Sequence, residues 1–124
     1  MSIPGKVARA IGAAGATVVL SLTLAVAPAQ AGYGTLMGCP EGYVCLYPSA
    51  SWNKNHPSMM WYYYGAYNLS NQWGMKRIFN NQTGTAFVRT CLQYNGIQCD
   101  NILAPLLYAD LNFDPINSVL LSTY

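Results

Sequence analysis

Residues 85–99 read TAFVRTCLQYNGIQC, and their pattern decides the fold class. Thr85 to Tyr94 is dense in β-branched and aromatic residues, which suit a pleated, half-buried surface. Asn95-Gly96 follows, the pair that tight hairpin turns favour because both residues tolerate positive φ. Outward from this hairpin the same texture recurs. Tyr43–Tyr47 lies between Gly42 and Pro48, and Met59–Tyr64 carries three consecutive tyrosines. Arg77–Phe79 runs into Asn80-Asn81-Gln82-Thr83-Gly84, a strong turn signal. Ile102–Tyr108 contains Pro105, which demotes it to an edge or broken strand, and Asn117–Thr123 closes the series. No window sustains helical periodicity. Short strands at regular spacing predict an all-β sandwich or barrel.

The 124-residue chain opens differently. Lys6 and Arg9 precede an uncharged stretch from Ala10 to Val26, and Ala29-Gln30-Ala31 has the small-x-small form of a signal-peptidase site. Residues 1–31 therefore read as a cleaved signal peptide and 32–124 as one secreted, extracellular domain with no membrane attachment. Gly, Ser and Thr dilute the apolar stretch, which argues against a membrane anchor. Lys6 and Arg9 would leave with the signal. Lys54, Lys76, Arg77 and Arg89 then balance Glu41, Asp100, Asp110 and Asp114. Lys76-Arg77 is the one basic cluster left, too little to grip a phosphate backbone, so nucleic acid is not an expected partner.

Cys39, Cys45, Cys91 and Cys99 all lie in the domain. In a short exported chain an even count reads as a disulfide framework. Zinc ligands usually come as pairs two to four residues apart, and these spacings are wider. Sequence permits three pairings. Cys39–Cys45 and Cys91–Cys99 are preferred, because Pro40-Glu41-Gly42 and Asn95-Gly96 are turns that return each cysteine to its partner. Each closed loop is worth roughly 2–3 kcal/mol on a chain-entropy basis, against a net stability of about 5–14 kcal/mol for such a domain.

Cys45-Leu46-Tyr47 is echoed by Cys91-Leu92-Gln93-Tyr94, which suggests two four-strand copies, each burying its apolar face on the other as a Greek-key sandwich. The stretch Cys39-Pro40-Glu41-Gly42-Tyr43-Val44-Cys45-Leu46-Tyr47, the segment Tyr67-Asn68-Leu69 through Trp73, the run Asn80 to Gly84 and the ending Asp114-Pro115-Ile116-Asn117-Ser118-Val119 together resemble secreted actinobacterial proteins of peptidase inhibitor family thirty-six. The resemblance covers essentially all of 39–120 and implies a βγ-crystallin-like fold of two Greek keys. It also implies inhibition of thermolysin-like metalloproteases through a reactive bond at Cys91–Leu92, within Thr90-Cys91-Leu92-Gln93-Tyr94. An aliphatic Leu92 just after that bond suits such an enzyme, and a loop held by Cys91–Cys99 would lose little freedom on binding. In this fold the resemblance places calcium near the last strand of each copy. Phe113 to Ser118 offers a single carboxylate and Gly74 to Phe79 offers two cations, far short of the oxygens calcium needs, so no metal is expected.

Catalysis lacks an inventory. His56 is the sole imidazole, set in Asn53-Lys54-Asn55-His56-Pro57, and the four carboxylates stand singly near turns. The chain reads as a non-enzyme without cofactor. Trp52, Trp61, Tyr62, Tyr63, Tyr64, Tyr67 and Trp73 fall close together, and exposed aromatics make good binding anchors. Three functions follow. One is a proteinase-inhibitor-like protein that engages a secreted protease or protease-like domain through Cys91, Leu92, Gln93 and Tyr94. Another is a non-inhibitory binding module, or an adaptor subunit of a secreted, antibacterial assembly, docking on another protein or on wall polysaccharide through Trp61, Tyr62 and Tyr64. The third, which the resemblance in fold implies, is a small antimicrobial toxin.

Overall fold

A computed structural model describes residues 32–123, so the expected signal peptide lies outside the described residues. Eight strands form there: β1 Val44–Tyr47, β2 Met59–Trp61, β3 Gly65–Asn68, β4 Met75–Asn80, β5 Ala86–Cys91, β6 Cys99–Leu103, β7 Tyr108–Asn112 and β8 Ser118–Thr123. No α-helix occurs among the described residues, and none is long and apolar enough to cross a membrane. The strands make two antiparallel sheets, ordered β2-β1-β4-β7 and β3-β8-β5-β6. The expected disulfides are both present, Cys39–Cys45 and Cys91–Cys99.

Each half of the chain, β1–β4 and β5–β8, hands its third strand to the other half's sheet. The ladders show how closely the halves correspond. Leu46 lies opposite Ile78 in one half and Val88 opposite Leu121 in the other, and all four side chains are buried in one core between the sheets. The Leu69 N–H donates to the Asn117 carbonyl at 2.9 Å, and the Phe113 N–H donates to the Gly74 carbonyl at the same distance. Leu69 thus corresponds to Phe113, and Leu46 to Val88. The expected cysteine echo is therefore displaced: Cys45 faces Phe79 near the start of β1, whereas Cys91 faces Ser118 at the end of β5. The calcium comparison shifts likewise, because residues 69–74 and not Gly74 to Phe79 are the counterpart of 113–117.

β1 is buried at every position. Val44 and Leu46 face the inter-sheet core, while Cys45 and Tyr47 face a second cluster with Cys39 and Phe79. Residues 36–39 and Trp52 cover that outer face, with the Trp52 ring edge-on to Tyr47 at 5.2 Å. The expected turn at Asn80 to Gly84 begins later. Asn80, Asn81 and Gln82 are buried; Asn80 ends β4, the Asn81 N–H still donates to the Tyr43 carbonyl at 2.9 Å, and side-chain amide bonds add to the backbone pairing. Asn80 Nδ2 donates to the Ala86 and Leu103 carbonyls at 3.0 and 2.8 Å, and Asn81 Nδ2 to those of Gly34 and Cys39 at 3.0 and 2.8 Å. Burial without such partners would cost several kcal/mol, roughly 1–3 per group.

Candidate functional site

The hairpin beyond Cys91–Cys99 is built so that its backbone and its polar side chains are held while its apolar side chains project. Cys91 and Cys99 face each other across β5 and β6. Beyond them the Leu92 N–H donates to the Gln98 carbonyl at 3.0 Å, the Gln93 N–H to Ile97 at 3.2 Å, and Gln93 Nε2 to Gln98 Oε1 at 2.9 Å. Asn95 and Gly96 take φ of 64° and 71°, the left-handed conformation for which the Asn-Gly pair was suited. A Cβ on Gly96 would also come within 3.0 Å of Ala66 Cβ.

Asn68 of β3, Ser118 of β8 and Asn117 just before β8 brace the hairpin from behind. Ser118 Oγ donates to the Gln93 carbonyl at 2.6 Å and accepts the Gly96 N–H at 3.0 Å. Asn117 Nδ2 donates to the Leu92 carbonyl at 2.8 Å, and Asn68 Oδ1 accepts the Asn95 N–H at 2.7 Å. Leu92, Tyr94 and Ile97 project outward, 43%, 52% and 53% exposed, among the exposed polar side chains of Gln93, Asn95 and Gln98. Of the four residues expected to act here, Leu92 and Tyr94 present their side chains, and the Gln93 amide is bonded to Gln98. Cys91 is buried, and its carbonyl accepts the Asn117 N–H at 2.9 Å. Ile97 belongs to the same surface. Its signal in the sequence was an aliphatic residue beside a turn inside a cysteine loop.

Next to Tyr94, a concavity of about 260 Å³ opens between segments 69–73 and 114–117, with exposed Trp73 also on its lining. The Asp114 carboxylate is committed within it, accepting the Gly74 N–H at 2.7 Å. Among the described residues no group of three His, Cys, Asp or Glu side chains is gathered closely enough to hold a metal. The other carboxylates have local partners as well. Glu41 accepts the Gly34 N–H at 2.8 Å, Asp100 accepts that of Asn101 at 2.8 Å, and Asp110 is paired with Arg77. His56 sits exposed after a short 3-10 turn at Asn53–Asn55.

The aromatic residues divide. Trp61 turns inward, stacked on Tyr67 at 5.9 Å and packed on the inter-sheet core. β2 ends there, so strand alternation does not extend into Tyr62, Tyr63 and Tyr64, and all three are exposed. They line a second concavity of about 260 Å³ together with Gly42, Gln82 and Thr83. Trp61 is thus absent from the face that Tyr62 and Tyr64 share, and Tyr63 takes its place. Compared with known proteins, the chain matches no family model, no curated protein and no solved structure.

Proposed function

We propose that the chain is a secreted, non-catalytic recognition module that blocks a thermolysin-like metalloprotease with the 92–98 hairpin. The observation that carries this reading is the division of labour in the hairpin. Its backbone is fixed by a disulfide and by Asn68, Asn117 and Ser118, while Leu92, Tyr94 and Ile97 project as an apolar ridge. A ridge shaped before contact loses little conformational freedom when it docks, so more of its burial appears as affinity. The resemblance to peptidase inhibitor family thirty-six supplies the target class, and the two disulfides fit an oxidising, extracellular setting.

Docking occurs by occupancy and not by offering Cys91–Leu92 for hydrolysis, because the Cys91 carbonyl already accepts the Asn117 N–H. A metalloprotease polarises the carbonyl of the bond it cuts, and this one is turned into the sheet. Wild-type protein is expected to inhibit a thermolysin-like enzyme at micromolar concentration and to remain intact on reducing gels. Leu92→Gly is expected to weaken inhibition by roughly 10- to 150-fold, the worth of one buried leucine side chain. Absence of inhibition by the wild type at that concentration removes the proposal.

A further inference from the structure

We infer that the tyrosine concavity is a carbohydrate-binding site, for an uncharged β-linked pyranose polymer of the cellulose or chitin type. Such polymers present flat faces of C–H groups edged by equatorial hydroxyls. The site offers the complement of both. Tyr62, Tyr63 and Tyr64 supply aromatic faces, whose negative quadrupole attracts polarised C–H groups. Thr83 supplies a hydroxyl beside them, with the buried Gln82 beneath.

The Tyr62 and Tyr63 rings are held in place although they face solvent. Tyr62 packs against half-buried Tyr43 at 5.1 Å and edge-on to Tyr63 at 5.1 Å. Gly42, at φ +93°, leaves the room: a Cβ there would stand 2.8 Å from Tyr62 Cε1. Tyr67 Oη donates to the Tyr63 carbonyl at 2.6 Å and pins the bend that carries all three rings. Rings already positioned give up little entropy on binding. Gln82 is only 4% exposed, and its Nε2 and backbone N–H both donate to Asn80 Oδ1 at 3.0 Å, so its amide is oriented too.

Charge narrows the ligand class. No Asp, Glu, Lys, Arg or His is among the described residues that line the concavity. A polyanionic glycan would find no cation there, and a quaternary ammonium no carboxylate. The volume lies below the roughly 300–1,000 Å³ of enclosed small-molecule sites, which suits one or two rings of a polymer lying across an open surface. Ala86 lines this site at the start of β5, whereas Cys91 carries the hairpin at its end. Five residues of strand separate them by roughly 17 Å, so polymer and protease can be held together.

The test is depletion of the full, disulfide-intact protein by washed cellulose and, separately, chitin particles. Retention by at least one polymer is expected, unchanged in high salt because no ion pair contributes. Tyr62→Ala/Tyr64→Ala is expected to lower retention at least tenfold, Tyr62→Phe/Tyr64→Phe to stay within about threefold, and Leu92→Gly to match the wild type. A thermal melt checks that each variant is folded. If the double alanine variant is not, Tyr63→Ala replaces it and must also lose retention. No retention by either polymer overturns the assignment. So does retention that survives loss of the tyrosines, or that salt abolishes.

Discussion

Tyr47 is fully buried, its hydroxyl donating to the Met37 carbonyl at 2.8 Å. Burial, partly offset by the nearby Arg77 charge, pushes its pKa up to about 12. The group is raised in the folded state, so its contribution to stability is whole below the ordinary tyrosine value near 10 and is lost as pH climbs towards 12. Wild-type protein is therefore expected to melt at steadily lower temperature over that window. Tyr47→Phe is expected to remove part of the decline, because its ring has no proton to lose. A profile as steep in the variant as in the wild type would show that another group governs alkaline unfolding.

Among the elements, the β5–β6 hairpin is the one in which local preference and tertiary need agree. Ser118 joins it to β8 through two hydrogen bonds from one hydroxyl. Ser118→Ala leaves the Gly96 N–H and the Gln93 carbonyl without that partner and is expected to cost about 1–3 kcal/mol in denaturant unfolding. The Gly96 amide should also exchange with solvent faster than in the wild type. This hairpin was legible from sequence because Asn95-Gly96 and the flanking cysteines act locally. β3 was not: Gly65-Ala66-Tyr67-Asn68 has weak strand propensity and is made a strand by pairing with β8 of the other half. Asn80 to Gln82 read as a turn for a related reason, since burial of the Asn80 and Asn81 amides is possible only when distant carbonyls meet them, and Gln82 then bonds to Asn80 Oδ1. In the candidate site Leu92 and Tyr94 were legible, but the joint exposure of Tyr62, Tyr63 and Tyr64 depended on β2 ending at Trp61. Pro105 did break its run. Leu103 ends β6, and Tyr108 begins β7 after a turn closed by the Leu107 N–H on the Ala104 carbonyl at 3.2 Å.

Across the described residues, the halves are joined by a shared core, by the exchanged strands β3 and β7, and by a charged contact. Arg77 on β4 meets Asp110 on β7 through Nε and Nη2 at 2.7 and 2.9 Å. Its guanidinium also lies 4.5 Å from the Trp52 ring centre and 4.4 Å from that of Tyr108. The hydrogen bond to Arg77 chiefly, helped by its charge and opposed by burial, holds the Asp110 carboxyl below its usual value. That stabilisation is complete above the ordinary aspartate range and fades as pH falls through the lowered value. Asp110→Asn is expected to cost about 1 kcal/mol at neutral pH and nothing in strong acid, read as the difference between two pH-dependent melting curves. Both disulfides lie within single halves, Cys39–Cys45 before β2 and Cys91–Cys99 after β4. A single backbone cut at exposed Gly84 would therefore leave two fragments with no covalent tie, each missing a strand that only the other can supply. Their reunion would become a second-order process, and the domain would behave as a heterodimer whose integrity falls on dilution.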